Sequence, residues 1–87
     1  MLRVRGDSMI DLGIFDGDFV VCRSQDDASD GDIVVAGIPG EEATVKTLQR
    51  RDGQVVLVPA NETLSEMVFD ADQVTVFGRV VTVMRKL

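Results

Sequence analysis

Histidine is absent from this chain of 87 residues, and with it goes the commonest biological base. Ser-His-Asp and Cys-His catalysis are excluded, as are zinc sites built on histidine or paired cysteines. Cysteine is nearly missing too. Cys22 stands alone in the apolar run Phe19-Val20-Val21-Cys22, so no internal disulfide can form, nothing points to an oxidising compartment, and a buried, inert thiol is expected. No apolar stretch approaches the roughly 18 residues of a membrane span. The N-terminus also lacks the basic-then-apolar plan of a signal peptide, so a cytoplasmic protein without membrane contact is predicted. The glycines fall in no G-x-G-x-x-G or G-x-x-x-x-G-K pattern, which argues against nucleotide chemistry. Positive charge is in deficit: the net charge is -6 and the pI is near 4.4. That is the wrong sign for a surface that displaces counterions from nucleic-acid phosphates, so this chain alone should not grip DNA. The carboxylates Asp26, Asp27, Asp30 and Asp32 lack the spacing and closing glutamate of an EF-hand. No metal or cofactor is expected.

What is present is valine and turn chemistry. A hydrophobic fraction of 45% beside a charged fraction of 28% describes a folded domain rather than a disordered segment. One domain of this size buries only about 60% of the surface its unfolded chain exposes, so its stability margin is thin. Asp16-Gly17, Asp30-Gly31, Asp52-Gly53 and Pro39-Gly40 punctuate Val-rich runs, and glycine accepts the positive φ that tight turns require. The pattern predicts an all-β fold with strands near residues 2–5, 19–24, 32–38, 43–49, 54–59 and 75–85. The one helical turn is expected at residues 9–13. Residues 24–32 read as a solvated hairpin loop and residues 61–66 as a polar loop. The final run, 74–84, is apolar on both faces save Thr75, Arg79 and Thr82, which suits a strand covered on two sides. The second cover is either the domain's own core or another subunit.

With histidine gone, serine activated by a neutral lysine is the nucleophile system that survives. On a strand, the period of two puts Thr44, Lys46 and Leu48 on one face. If that face is inward, desolvation lowers the lysine pKa by up to about 3 to 5 units, enough for a base near neutrality, and Thr44 is placed to aim the amine. If it is outward, Lys46 is an ordinary solvated edge-strand lysine. Periodicity does not choose between them. Ser8, in the small-residue turn Gly6-Asp7-Ser8-Met9, is by itself equally a turn or N-cap residue.

Three elements taken together, Val4-Arg5-Gly6-Asp7-Ser8-Met9, then Asp11-Leu12-Gly13-Ile14-Phe15-Asp16-Gly17-Asp18, then Thr44-Val45-Lys46, resemble the catalytic domain of the LexA repressor family. The resemblance covers nearly the whole chain. It implies a small antiparallel, coiled-sheet, partly open barrel of the LexA and signal peptidase type. It further implies Ser8 as nucleophile, Lys46 as general base, the backbone N–H groups of Asp7 and Ser8 as oxyanion donors, Thr44 as orienter of the lysine, and Met9 lining the pocket for a small residue. The implied activity is self-cleavage of an upstream Ala-Gly bond in the linker to an N-terminal DNA-binding domain. RecA filaments on single-stranded DNA stimulate this cut in the family, and SOS genes are then derepressed. Operator DNA would be met only through the domain absent from this chain, and a homodimer would form through the segment Phe77 to Arg85.

The pattern departs from the family in three places. The chain begins after the DNA-binding domain and the expected cleavage loop, so it resembles the fragment left by the cut. Ala36-Gly37 is an Ala-Gly pair, but it falls in a predicted core strand and is not expected to be the bond cleaved. Thr47 replaces the basic residue often found after the lysine. A polymerase subunit like UmuD or a phage repressor shares the serine and lysine elements, although the D-x-G-I-x-D-G-D stretch favours LexA. Signal peptidases carry a membrane anchor and a proline soon after Ser-Met, and neither occurs here. A dimerisation module without catalysis is the alternative of another class.

Overall fold

A computed structural model describes residues 1–25 and 27–87; Asp26 lies outside the described residues. The Val-rich runs become seven strands: β1 (Leu2–Arg3), β2 (Phe19–Ser24), β3 (Ile33–Gly37), β4 (Thr44–Arg51), β5 (Gln54–Val58), β6 (Met67–Asp70) and β7 (Thr75–Met84). They form one sheet in the order β1-β2-β7-β3-β4-β5-β6, and every neighbouring pair is antiparallel. The sheet curls into a half-barrel, the all-β, partly open barrel that was expected. Helix among the described residues is confined to two 3-10 turns, Ile10–Leu12 and Ala71–Gln73. No helix among them is long and apolar enough to cross a membrane.

Turn chemistry sets the tightest connection. Asp52 and Gly53 have φ of 52° and 77° and link the paired residues Arg51 and Gln54. This is the two-residue, doubly positive-φ hairpin that an Asp-Gly pair favours.

Four expectations about the elements need correction. The first strand is only Leu2–Arg3: the Val4 N–H still meets the Asp18 carbonyl, the next in register, at 2.7 Å, but the Val4 carbonyl accepts from the Gly17 N–H at 2.9 Å rather than from Asp18, and the ladder ends there. Strand β6 was not expected. It is a four-residue edge strand that turns Met67 and Phe69 inward and leaves Val68 and Asp70 outside. The 3-10 turn Ala71–Gln73 was not expected either. Its capping box, closed by Asp70 and Gln73, is what ends β6. Finally, the segment between β2 and β3 is not a hairpin loop, since β7 lies between those two strands and pairs with both. The loop's carboxylates brace that crossing. Asp27 accepts from the Ala28 N–H and from Arg50, Asp30 from the Arg50 N–H, and Asp32 from the Ser29 N–H.

Two apolar clusters share the strands. Val34, Ala36, Ile38, Leu48, Val55 and Leu57 form one, and Val4, Met9, Ile14, Val20, Val35 and Val45 the other. Adjacent residues of β3 and of β4 thus face opposite cores, so both strands are buried on two sides. Cys22 is half-buried rather than fully buried and packs on the second cluster. Strand β7 has only one covered face. Gly78 is buried so tightly that an added Cβ would stand 2.6 Å from the Arg23 carbonyl oxygen, whereas Phe77 and Val81 are half-exposed at 50% and 49%.

Candidate active site

Strand β4 pairs with β3 on one side and, from Thr47 onward, with β5 on the other; what removes the solvated edge-strand placement for Lys46 is its burial. Its side chain follows the face that carries Leu48, and the residue is only 8% exposed. Burial among apolar neighbours pushes the ammonium below its usual range, and the nearby carboxylate of Glu41 offsets part of that push. Two hydroxyls receive the amine: Nζ lies 2.6 Å from Thr44 Oγ1 and 3.0 Å from Ser8 Oγ. A neutral amine keeps one lone pair. With Thr44 Oγ1 accepting one of its N–H groups, that lone pair is free to take the Ser8 hydroxyl proton.

Ser8 comes from a loop, not a strand. Gly6, at φ 82°, reverses the chain after the Val4 contacts, and the Gly6 N–H donates to Asp16 Oδ1 at 2.8 Å. Behind Ser8 the 3-10 turn Ile10–Leu12 follows at once, and the Ala60 carbonyl accepts the Asp11 N–H at 2.8 Å. The carbonyl of Ser8 itself accepts the Ala60 N–H at 2.7 Å. Among the described residues neither the Asp7 nor the Ser8 N–H is held in a hydrogen bond, so both amides stand available as donors. Met9 is not a pocket residue. It is 1% exposed in the core under the loop, where a long flexible side chain fills the space between Val4, Ile14 and Val45.

A cleft of about 190 Å³ opens beside these groups, between residues 2–5 and 42–45, with Ser8 and Thr44 on its lining. The pairing of β4 with β5 begins only at Thr47, opposite Val58, so the first residues of β4 are free to border this space. Arg5 and Glu42 face each other across the mouth at 3.9 Å, both largely exposed. Such a pair contributes little to stability but sets opposite charges on the two walls. Farther out, the Asp18 carboxylate is buried at 2% exposure. It binds Arg85 through two contacts of 2.8 Å and accepts the Phe15 N–H at 2.8 Å. The Arg85 guanidinium, and after it the Phe15 N–H, hold that carboxyl below the usual carboxylate range.

The structure therefore brings Ser8, Lys46 and Thr44 together, with the Asp7 and Ser8 amides adjacent. The reading from sequence missed Asn61, whose Nδ2 donates to the Asp7 carbonyl at 2.9 Å across 54 positions of chain. It also missed Glu41, Glu42 and Arg5, and the Asp18–Arg85 pair. No local spacing announces a contact of that range; only the polar run beginning at Asn61 marked the segment. Among the described residues no group of three or more histidine, cysteine or carboxylate side chains is placed to hold a metal ion.

A family model described as peptidase S24-like matches residues 1–81. The chain is 56% identical over 86 residues to LexA repressor 1 of Nocardia farcinica (strain IFM 10152), covering 99% of this chain and 38% of that protein. The LexA repressor of Erythrobacter litoralis (strain HTCC2594) is 51% identical over 85 residues, 98% of this chain and 36% of its own length. That of Bifidobacterium longum (strain DJO10A) is 51% identical over 87 residues, or 100% and 35%. The chain thus spans a little over a third of the length of these relatives.

Proposed function

The chain belongs to the peptidase S24-like family, and on that premise we propose that it is the self-cleaving peptidase and dimerisation domain of an SOS-response repressor of the LexA type. The observation that carries the reading is the buried Lys46 amine at 3.0 Å from Ser8 Oγ. Ser8 Oγ attacks the carbonyl carbon of the scissile bond and passes its proton to Lys46 Nζ. The Asp7 and Ser8 amides receive the oxyanion. The intermediate collapses as Lys46 returns the proton to the leaving amine, and water then hydrolyses the acyl-serine by the same route in reverse.

The bond cut is an Ala-Gly bond in the linker upstream of this segment, presented in the cleft between residues 2–5 and 42–45. A RecA filament on single-stranded DNA favours that presentation, and operator DNA is bound by the upstream domain. Ala36-Gly37 is a poor substrate. Ala36 is wholly buried, and its strand is hydrogen-bonded to β4 on one side and β7 on the other. A longer chain that includes the linker is expected to yield two fragments whose masses place the cut upstream of Met1. Scission at Ala36-Gly37, or none at all at alkaline pH, would overturn the reading.

The domain pairs with a second copy through β7. The ladder with β3 stops at Arg79, so the backbone edge on that side is open from Val80 to Met84, while Arg85 is engaged with Asp18 and the Gly13 carbonyl. Val81, Val83 and Met84 are 49%, 39% and 40% exposed along the same stretch, enough apolar surface to favour strand pairing across a two-fold axis. Sedimentation at high micromolar concentration should give the dimer, and Val81→Glu should give the monomer. A wild-type chain that sediments only as monomer would refute the pairing.

A further inference from the structure

We propose that Asn61 is a positioning residue of the reaction, locking the peptide plane between Asp7 and Ser8 so that the Ser8 N–H faces the developing oxyanion; this rests on the peptidase reading above. Asn61 Oδ1 accepts both the Thr63 N–H at 2.9 Å and the Thr63 hydroxyl at 2.7 Å. Two donors on one atom fix which end of the amide is oxygen, so Nδ2 must be the end that meets the Asp7 carbonyl at 2.9 Å. In a planar trans peptide the N–H points opposite to the C=O. Holding the Asp7 carbonyl toward Asn61 therefore turns the Ser8 N–H the other way. The next peptide is held from the same side, since the Ser8 carbonyl accepts the Ala60 N–H at 2.7 Å. Residues 60 and 61 thus grip the carbonyls on both sides of Ser8, and the Ala60 carbonyl adds a third tie through the Asp11 N–H. The nucleophile sits on a loop whose φ and ψ are imposed from outside by a segment far away in sequence.

The test uses this chain acting in trans on a blocked peptide that contains an Ala-Gly bond, with a peptide aldehyde ending in alanine as a mimic of the tetrahedral adduct. Asn61→Asp keeps the size and the Thr63 contacts but sets a negative oxygen against the Asp7 carbonyl. Asn61→Ala removes the donor together with the Thr63 contacts but adds no charge, and serves if the aspartate variant does not fold. Both are expected to lower kcat by about 10²-fold, as for loss of an oxyanion donor. Aldehyde affinity should fall in parallel, while KM and the midpoint of the pH profile, which belongs to Lys46, stay in place. If wild type exceeds Ser8→Ala but both Asn61 variants match wild type in kcat and aldehyde affinity, the role of Asn61 is overturned and the peptidase reading stands. If wild type is no faster than Ser8→Ala, the peptidase reading falls and the role of Asn61 with it.

Discussion

Ser8→Ala should slow self-cleavage of a linker-bearing chain by on the order of 10⁶-fold, the loss seen when a serine nucleophile is deleted from a hydrolase. Lys46→Ala should be nearly as damaging, and the double variant should be no worse than Ser8→Ala, because the two groups act on one proton and cannot be partitioned. Both substitutions leave the fold standing. Ser8 is only half-buried on a loop, and the amine of Lys46 makes its two hydrogen bonds to hydroxyls that water can reach once the side chain is shortened. The measurement is the fraction of intact chain against time at alkaline pH, followed by mass. Continued cutting in either single variant, at a rate within an order of magnitude of wild type, would sink the assignment.

The second large effect is one of pH, and it appears in rate and in stability with the same sign. Only the neutral amine can accept the Ser8 proton, so on the acid limb the rate should climb about tenfold per pH unit until Lys46 is deprotonated. Stability follows from linkage. In the unfolded chain Lys46 has its ordinary pKa of 10.5, and in the native state burial lowers it. Between the lowered value and 10.5 the unfolded state binds more protons, so stability rises with pH across that window. Below the window the native fold must carry a buried ammonium at a cost. Lys46→Met removes the titrating group while keeping the length of the side chain. It should raise neutral-pH stability by about 1 kcal/mol, or roughly 4–8 °C in Tm for a domain of this size. It should also flatten the pH dependence in the window below 10.5 that Lys46 opens. Thermal melts of both chains at two pH values decide the matter: a variant with the wild-type pH dependence, or a lower melting temperature, is incompatible with a lysine whose ammonium is disfavoured by burial.

The strands that sequence pattern disclosed are those with long Val-rich runs and hard turns, such as β4 and β5 around Asp52-Gly53. Strand β6 escaped because four residues at a sheet edge carry only two inward side chains, too short a run for alternation to register. The loop between β2 and β3 was misread for another reason. Hairpin chemistry at Asp30-Gly31 is local, whereas insertion of β7 between the two strands is decided by residues more than 40 positions away. The site divides the same way. The face shared by Thr44, Lys46 and Leu48 was legible from periodicity, but its inward orientation depends on β5 and the nucleophile loop closing around it. Met9 looked like a pocket residue from its place beside Ser8, yet its neighbours in the fold, Val4, Ile14 and Val45, claim the side chain for the core. Asn61 had no local signature at all.

The position of β7 also bears on how the chain reaches its native state. It is the last strand in chain order but the third in the sheet, with β1 and β2 on one side and β3 to β6 on the other. Until it is in place the sheet is two pieces with no strand-to-strand ladder between them. During synthesis the earlier strands must wait, and a ribosome-bound intermediate lacking residues 75–84 would hold a meander from β3 to β6 beside a pair of β1 and β2 with no ladder to it. Folding should therefore be late, cooperative and slow for so short a chain, as expected when closure depends on distant partners.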